Sequence, residues 1–125
     1  MADAALAAAH MPLLKLKLGG GWDDARRLQA VRAARPDARL VADANEAWSQ
    51  EDLESLLAIC SEVGLELLEQ PLPAANDGAL ARVRRTVPVC ADESAHVASD
   101  VAALADRYDA VNIKLDKAGG LTGAL

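Results

Sequence analysis

Five ionisable side chains, Lys17, Asp43, Glu69, Asp92 and Lys114, recur along this chain at intervals of 22 to 26 residues. Each stands at or near the end of a short apolar run. Three carboxylates brought together repel one another, and a hard dication such as Mg²⁺ is a natural compensation for oxygen donors. Asp43, Glu69 and Asp92 are therefore the candidate metal ligands. Lys17 and Lys114 bracket them in the sequence. An ammonium near a dication and near other ammonium groups loses its proton more readily than in water, which makes it a usable base. Two such lysines, one from each side, would allow proton exchange at both faces of a substrate.

The elements that must position these groups alternate. Apolar runs at Leu13 to Leu18, Arg39 to Asp43, Leu65 to Glu69, Val87 to Asp92 and Ala110 to Leu115 read as strands. Between them, Ala25, Leu28 and Val31 repeat at helical spacing before Pro36 stops the pattern. A second helix opens at Ser49, with Asp52 three residues on, buries Leu53, Leu56, Leu57, Cys60 and Val63, and ends at Gly64. Weaker helical patterns run from Asn76 to Thr86 and from Ser99 to Tyr108.

Alternation of this kind means parallel strands with covering helices, in an open doubly wound sheet or a closed barrel. The ionisable residues decide between the two. Groups at the C-terminal ends of successive parallel strands converge on one mouth, and in a (β/α) barrel that mouth is where active sites are built. The expected fold is α/β, a partial TIM-like (β/α) barrel of about five β/α units.

Composition is consistent with that reading. Hydrophobic residues make up 52% of the 125, enough for a core, yet Phe is absent and aromatics are 2%, so packing rests on Leu, Val, Ile and Ala. A formal net charge of −6, with no basic cluster beside aromatics, argues against nucleic-acid binding. The Ala-rich start carries Asp3 and no basic leader region, and no apolar run approaches a membrane span, so a cytoplasmic protein without membrane partners is expected. Cys60 and Cys90 show no ligand spacing and read as buried packing thiols.

In order along the chain stand KLK at 15–17, DAN at 43–45, EQP at 69–71, DES at 92–94 and NIKLDKAGG at 112–120. Together these resemble the muconate-lactonising branch of the enolase superfamily. Within it, DANEAWS, EQPLPA and the NIKLDKAGGLTGAL ending are most similar to dipeptide epimerases of the L-Ala-D/L-Glu type. The resemblance implies Mg²⁺ at Asp43, Glu69 and Asp92, Lys17 and Lys114 as paired acid/base groups, and an enediolate formed by proton abstraction next to a carboxylate. It further implies that Lys15 assists near the substrate carboxylate and that Asn45 orients the ligands. Lys117 is expected to be a loop contact, and Gly119 and Gly120 are expected to tolerate positive φ. His10, His96, Trp22 and Trp48 are left outside the catalytic set.

The resemblance also implies an α+β capping domain and further barrel strands that are not recognisable within these residues. The substrate expected is a dipeptide or an N-acyl amino acid. Alternatives in the same branch are an N-acylamino acid racemase, an o-succinylbenzoate synthase or a cycloisomerase. A catalytically silent metal-binding piece is the alternative of another class. Five strands leave two open sheet edges, so self-association through them is expected, with low activity.

Overall fold

In the computed structural model, residues 1–97, 99–117 and 119–125 are described. Five strands form one sheet in the order β1-β2-β3-β4-β5, and all four pairings are parallel. They are β1 (Leu13–Lys17), β2 (Arg39–Asp43), β3 (Leu65–Glu69), β4 (Val89–Ala91) and β5 (Ala110–Val111). The first three have the expected extents, allowing one residue at the end of β1. The last two are shorter than the apolar runs that announced them. Sequential order without closure is the partial barrel expected from the alternation.

The helices are α1 (Ala2–Ala7), α2 (Gly21–Ala34), α3 (Leu53–Glu62), α4 (Asp100–Leu104) and α5 (Leu121–Ala124), with a 3₁₀ segment at Ala74–Ala81. The expected helix at 76–86 is thus 3₁₀, broken at Asn76, where φ is −143°. Regular α3 starts at Leu53, later than Ser49. The Asp52 amide nevertheless donates to Ser49 Oγ at 3.2 Å, one turn ahead of the helix. Gly64, at φ +66°, ends α3 in a conformation that costs a residue without Cβ little. α1 lies in the Ala-rich start, which periodicity did not mark as a helix. Arg35 holds it down, donating to the carbonyls of Ala8 (2.8 Å) and Met11 (2.9 Å).

Burial follows the pleat. Leu14, Leu16, Leu40, Ala42, Leu68, Val89 and Ala91 are buried, as are Ala25, Leu28 and Val31 of α2 and Leu53, Leu56, Leu57 and Cys60 of α3. The alternate positions carry the functional side chains on the other face. One irregularity adjusts this pattern. Leu40 pairs with Leu65 but Val41 with Leu67, so Glu66 is an extra residue in β3. The shift lets both Leu65 and Leu68 be buried, while Glu66 projects to solvent and takes a forked pair of bonds from Arg39 (3.0 and 2.7 Å). Among the described residues, no helix is long and apolar enough to cross a membrane.

Both cysteines are buried and free. Burial pushes the Cys60 thiol up to about 12, with Asp24 adding to it, and pushes Cys90 up to about 11, with Glu69 and Asp92 adding to it. Because the thiolate is the reactive form, neither residue should react with iodoacetamide at pH 8 in the folded protein. Denaturant should expose two labels per chain, countable by mass spectrometry. Rapid labelling before unfolding would contradict this packing.

Candidate active site

The strand ends bring the charged residues together. Lys17, Asp43 and Glu69 lie opposite one another across β1, β2 and β3. Asp92 does not share that row. Cys90 is the partner of Glu69, and Asp92 stands two residues beyond, on the same face. Just beyond β5, Asn112 and Lys114 are related by the same two-residue step. A groove of about 350 Å³ runs along this face and is lined in part by Lys15, Val41, Glu69, Cys90 and Asn112.

The three carboxylates are buried, exposing only 3% (Asp43), 7% (Glu69) and 6% (Asp92). Each meets a lysine. Lys17 Nζ is 2.5 Å from Asp43 Oδ2, Lys15 hydrogen-bonds Glu69 Oε2 and lies 3.5 Å from Asp43 Oδ2, and Lys114 Nζ lies 2.6 Å from Asp92 Oδ1 and 2.7 Å from Oδ2. The like-charge repulsion anticipated from the sequence is therefore already offset, one ammonium for each carboxylate. Among the described residues, no three His, Cys, Asp or Glu side chains form a ready-made cation cluster.

Electrostatics here depart from the simplest expectation for a base. The bond from Lys15 to Glu69 raises the Lys15 pKa against the opposing effect of burial, and the bond from Lys114 to Asp92 does the same for Lys114. Burial acts to raise Asp92, but the bond and charge of Lys114 outweigh it and hold the carboxyl below its ordinary value. The ion pair with Asp92 thus favours the protonated form of Lys114.

The remaining expected residues also find places. Asn45, at φ +48°, turns its amide N–H onto Asp43 Oδ1 (3.1 Å), and its Oδ1 accepts from Lys17 (3.0 Å). It touches both a carboxylate and its lysine, as an orienting group would. Lys117 is exposed, and Gly119 and Gly120 adopt φ of +78° and +91°; Ala118 of the same motif lies outside the described residues. Trp22 and His96 are exposed. Trp48, by contrast, is buried, and its indole N–H donates to Asp24 Oδ2 at 2.9 Å. Asp24 also accepts the amides of Gly19 (3.1 Å) and Gly20 (3.0 Å), which ties the loop after Lys17 to the loop after Asn45.

Sequence reasoning assigned no role to Asn112 or Glu93. Asn112 Nδ2 donates to Glu69 Oε1 at 2.8 Å, leaving Lys15 on the other oxygen. Its signal was available, because a residue two before Lys114 must share its face. Glu93 has a buried Oε2 with no hydrogen bond among the described residues, and burial, then the nearby charges of Asp92, Glu46 and Asp43, raise its pKa.

The donor set, three buried carboxylates, is of the hard oxygen type that Mg²⁺ prefers. Asp92 Oδ1, 2.6 Å from Lys114 Nζ, has no other polar partner among the described residues. The residues therefore suit such an ion in kind.

The family model for the enolase C-terminal domain-like family matches residues 1–125. The chain belongs to that family. The L-Ala-D/L-Glu epimerase of Escherichia coli is 49% identical over 117 residues, which are 94% of this chain and 36% of that enzyme. An enolase family member from Agrobacterium tumefaciens with homology to dipeptide epimerases, with bound sodium and L-Ala-L-Glu, superposes at a TM-score of 0.93. It is 52% identical and covers 98% of this chain and 37% of its own. The dipeptide epimerase of Enterococcus faecalis, complexed with Mg and L-Leu-L-Tyr, superposes at 0.88 with 33% identity, over 98% of this chain and 37% of its own. This enolase-family chain thus spans little more than a third of the relatives it matches, and those relatives are epimerases or their homologues.

Proposed function

We propose that residues 1–125 are part of the barrel domain of a Mg²⁺-dependent epimerase acting on a dipeptide of the L-Ala-D/L-Glu type. One observation carries the reading. The three buried carboxylates lie between Lys17 on β1 and Lys114 beyond β5, so two acid/base groups approach from opposite ends of the row. Epimerisation needs that arrangement, since a proton leaves one face of the α-carbon and another arrives at the opposite face.

In this reading one lysine removes the α-proton, and the enediolate left on the substrate is protonated by the other. Lys15 contributes positive charge near the substrate carboxylate. Asp43, Glu69 and Asp92 would hold the cation, with Asn45 and Asn112 fixing the first two. When bound, the ion supplies positive charge that stabilises the developing enediolate. The glutamate-type substrate is favoured by identity: the relatives named with L-Ala-Glu dipeptides are 49% and 52% identical, the one complexed with L-Leu-L-Tyr 33%.

Glu69→Gln tests the metal reading. It removes one negative charge while keeping a side chain that Asn112 can still reach. Mg²⁺ affinity measured by calorimetry should fall about tenfold or more, the range seen when the surroundings of metal sites are altered. Unchanged affinity would remove Glu69 from the ligand set.

A further inference from the structure

Directly after Glu69, Gln70 is completely buried and adopts φ +37°, a backbone region uncommon for a residue with a side chain. Its side-chain oxygen accepts the amide of Asp92 (2.9 Å) and that of Ser94 (3.1 Å). Two backbone donors fix which end of the amide is oxygen. The nitrogen end then faces the Leu72 carbonyl (2.9 Å), Ser94 Oγ (2.8 Å) and Tyr108 OH (2.8 Å).

Those two hydroxyls are spoken for. Ser94 Oγ and Tyr108 OH lie 2.7 and 2.8 Å from the same oxygen of buried Asp77, whose other oxygen takes Arg107 Nη1 at 2.5 Å. A carboxylate is the strongest acceptor present, so both hydroxyl protons point to it. Their lone pairs are left to receive the Gln70 amide. Gln70 is thereby held at both ends, by backbone on the strand side and by the Asp77–Arg107 pair behind it.

From this geometry we infer that Gln70 is a positioning residue: it sets where the Asp92 carboxylate stands relative to Glu69, three residues' worth of loop being clamped to the end of β3 by one amide. The consequence for metal affinity rests on the metal reading above, whereas the clamp itself does not. Gln70 touches neither a lysine nor a carboxylate of the row directly. Its effect passes through the Asp92 backbone, which no sequence motif reveals.

The test compares Gln70→Ala, Gln70→Glu and Thr86→Val. Thr86 Oγ1 donates to the Leu57 carbonyl at 2.9 Å, before β4, so its loss perturbs stability away from the strand ends. Amide hydrogen exchange without metal reads the clamp, and Mn²⁺ titration reads its consequence. Gln70→Ala should speed exchange at the Asp92 and Ser94 amides and weaken Mn²⁺ binding by about 10- to 100-fold. Gln70→Glu retains the accepting oxygen but sets a second oxygen against the Leu72 carbonyl, so it should recover only part of both. Thr86→Val should change neither. Unaltered exchange at Asp92 and Ser94 in Gln70→Ala would overturn the inference. If the unsubstituted protein binds no Mn²⁺ but Gln70→Ala still frees those amides, the metal reading fails and the clamp stands.

Discussion

Alanine at Lys114 should lower epimerisation of L-Ala-L-Glu by about 10²- to 10⁴-fold, and alanine at Lys17 should do the same, measured in the protein that carries these residues. The expectation follows from stereochemistry. In the proposed mechanism each lysine would serve one face of the α-carbon, so removing either would leave exchange from one epimer and block inversion. A variant should still wash deuterium into one epimer in D₂O while failing to produce the other, which proton NMR at the α-position distinguishes. Lys17 meets Asp43 at 2.5 Å and Lys114 meets Asp92 at 2.6 Å, so each substitution also leaves one carboxylate without its ammonium. A Lys→Arg change keeps that charge but cannot act as a base near neutral pH, and so separates the two effects. Full inversion with either alanine variant would refute the paired assignment.

The largest stability effect should come from Leu40→Ala. Leu40 is fully buried in β2, between Leu14 and Leu65 on the neighbouring strands. Removing most of its side chain forfeits transfer free energy and leaves a cavity, together about 2–5 kcal/mol. A domain is held by only about 5–15 kcal/mol, so the urea midpoint should drop sharply with little change in slope. Leu13, two pairs of strand positions before Lys17 and 42% exposed on the opposite face, should cost within about 0.5 kcal/mol when changed to alanine. Similar losses at both positions would mean that the apolar weight of this sheet does not lie on its helix-covered face.

Much of this was legible before any coordinates. Once Leu13 to Leu18 reads as a strand, period-two alternation sets Leu14 and Leu16 on one face and Lys15 and Lys17 on the other, as observed. The helical spacing of Leu53, Leu56, Leu57 and Cys60 identified the buried stripe of α3 for the same geometric reason. Five ionisable strand ends at similar spacing implied parallel strands opening on one mouth, and the fold has that order.

The sequence could not show how its charges would pair, since pairing depends on distances between strands. That Lys15 bridges to Glu69, two strands away, and that Asp92 stands beyond the row of Glu69 are consequences of register. Register in turn depends on the extra residue at Glu66, which local propensity does not mark. Burial of polar residues was equally hidden. Nothing local marks Gln70, just past a strand end, or Asp24, in the first turn of α2, as buried, and the arrival of Ser94 and Tyr108 at the one and Trp48 at the other, from segments 24 to 38 positions away, supplies partners that offset the cost of burying them. What the sequence by itself determined was which faces and which strand ends carry chemistry, because those follow from backbone periodicity. What the tertiary structure decided was which charge meets which, because that requires the chain to fold back on itself.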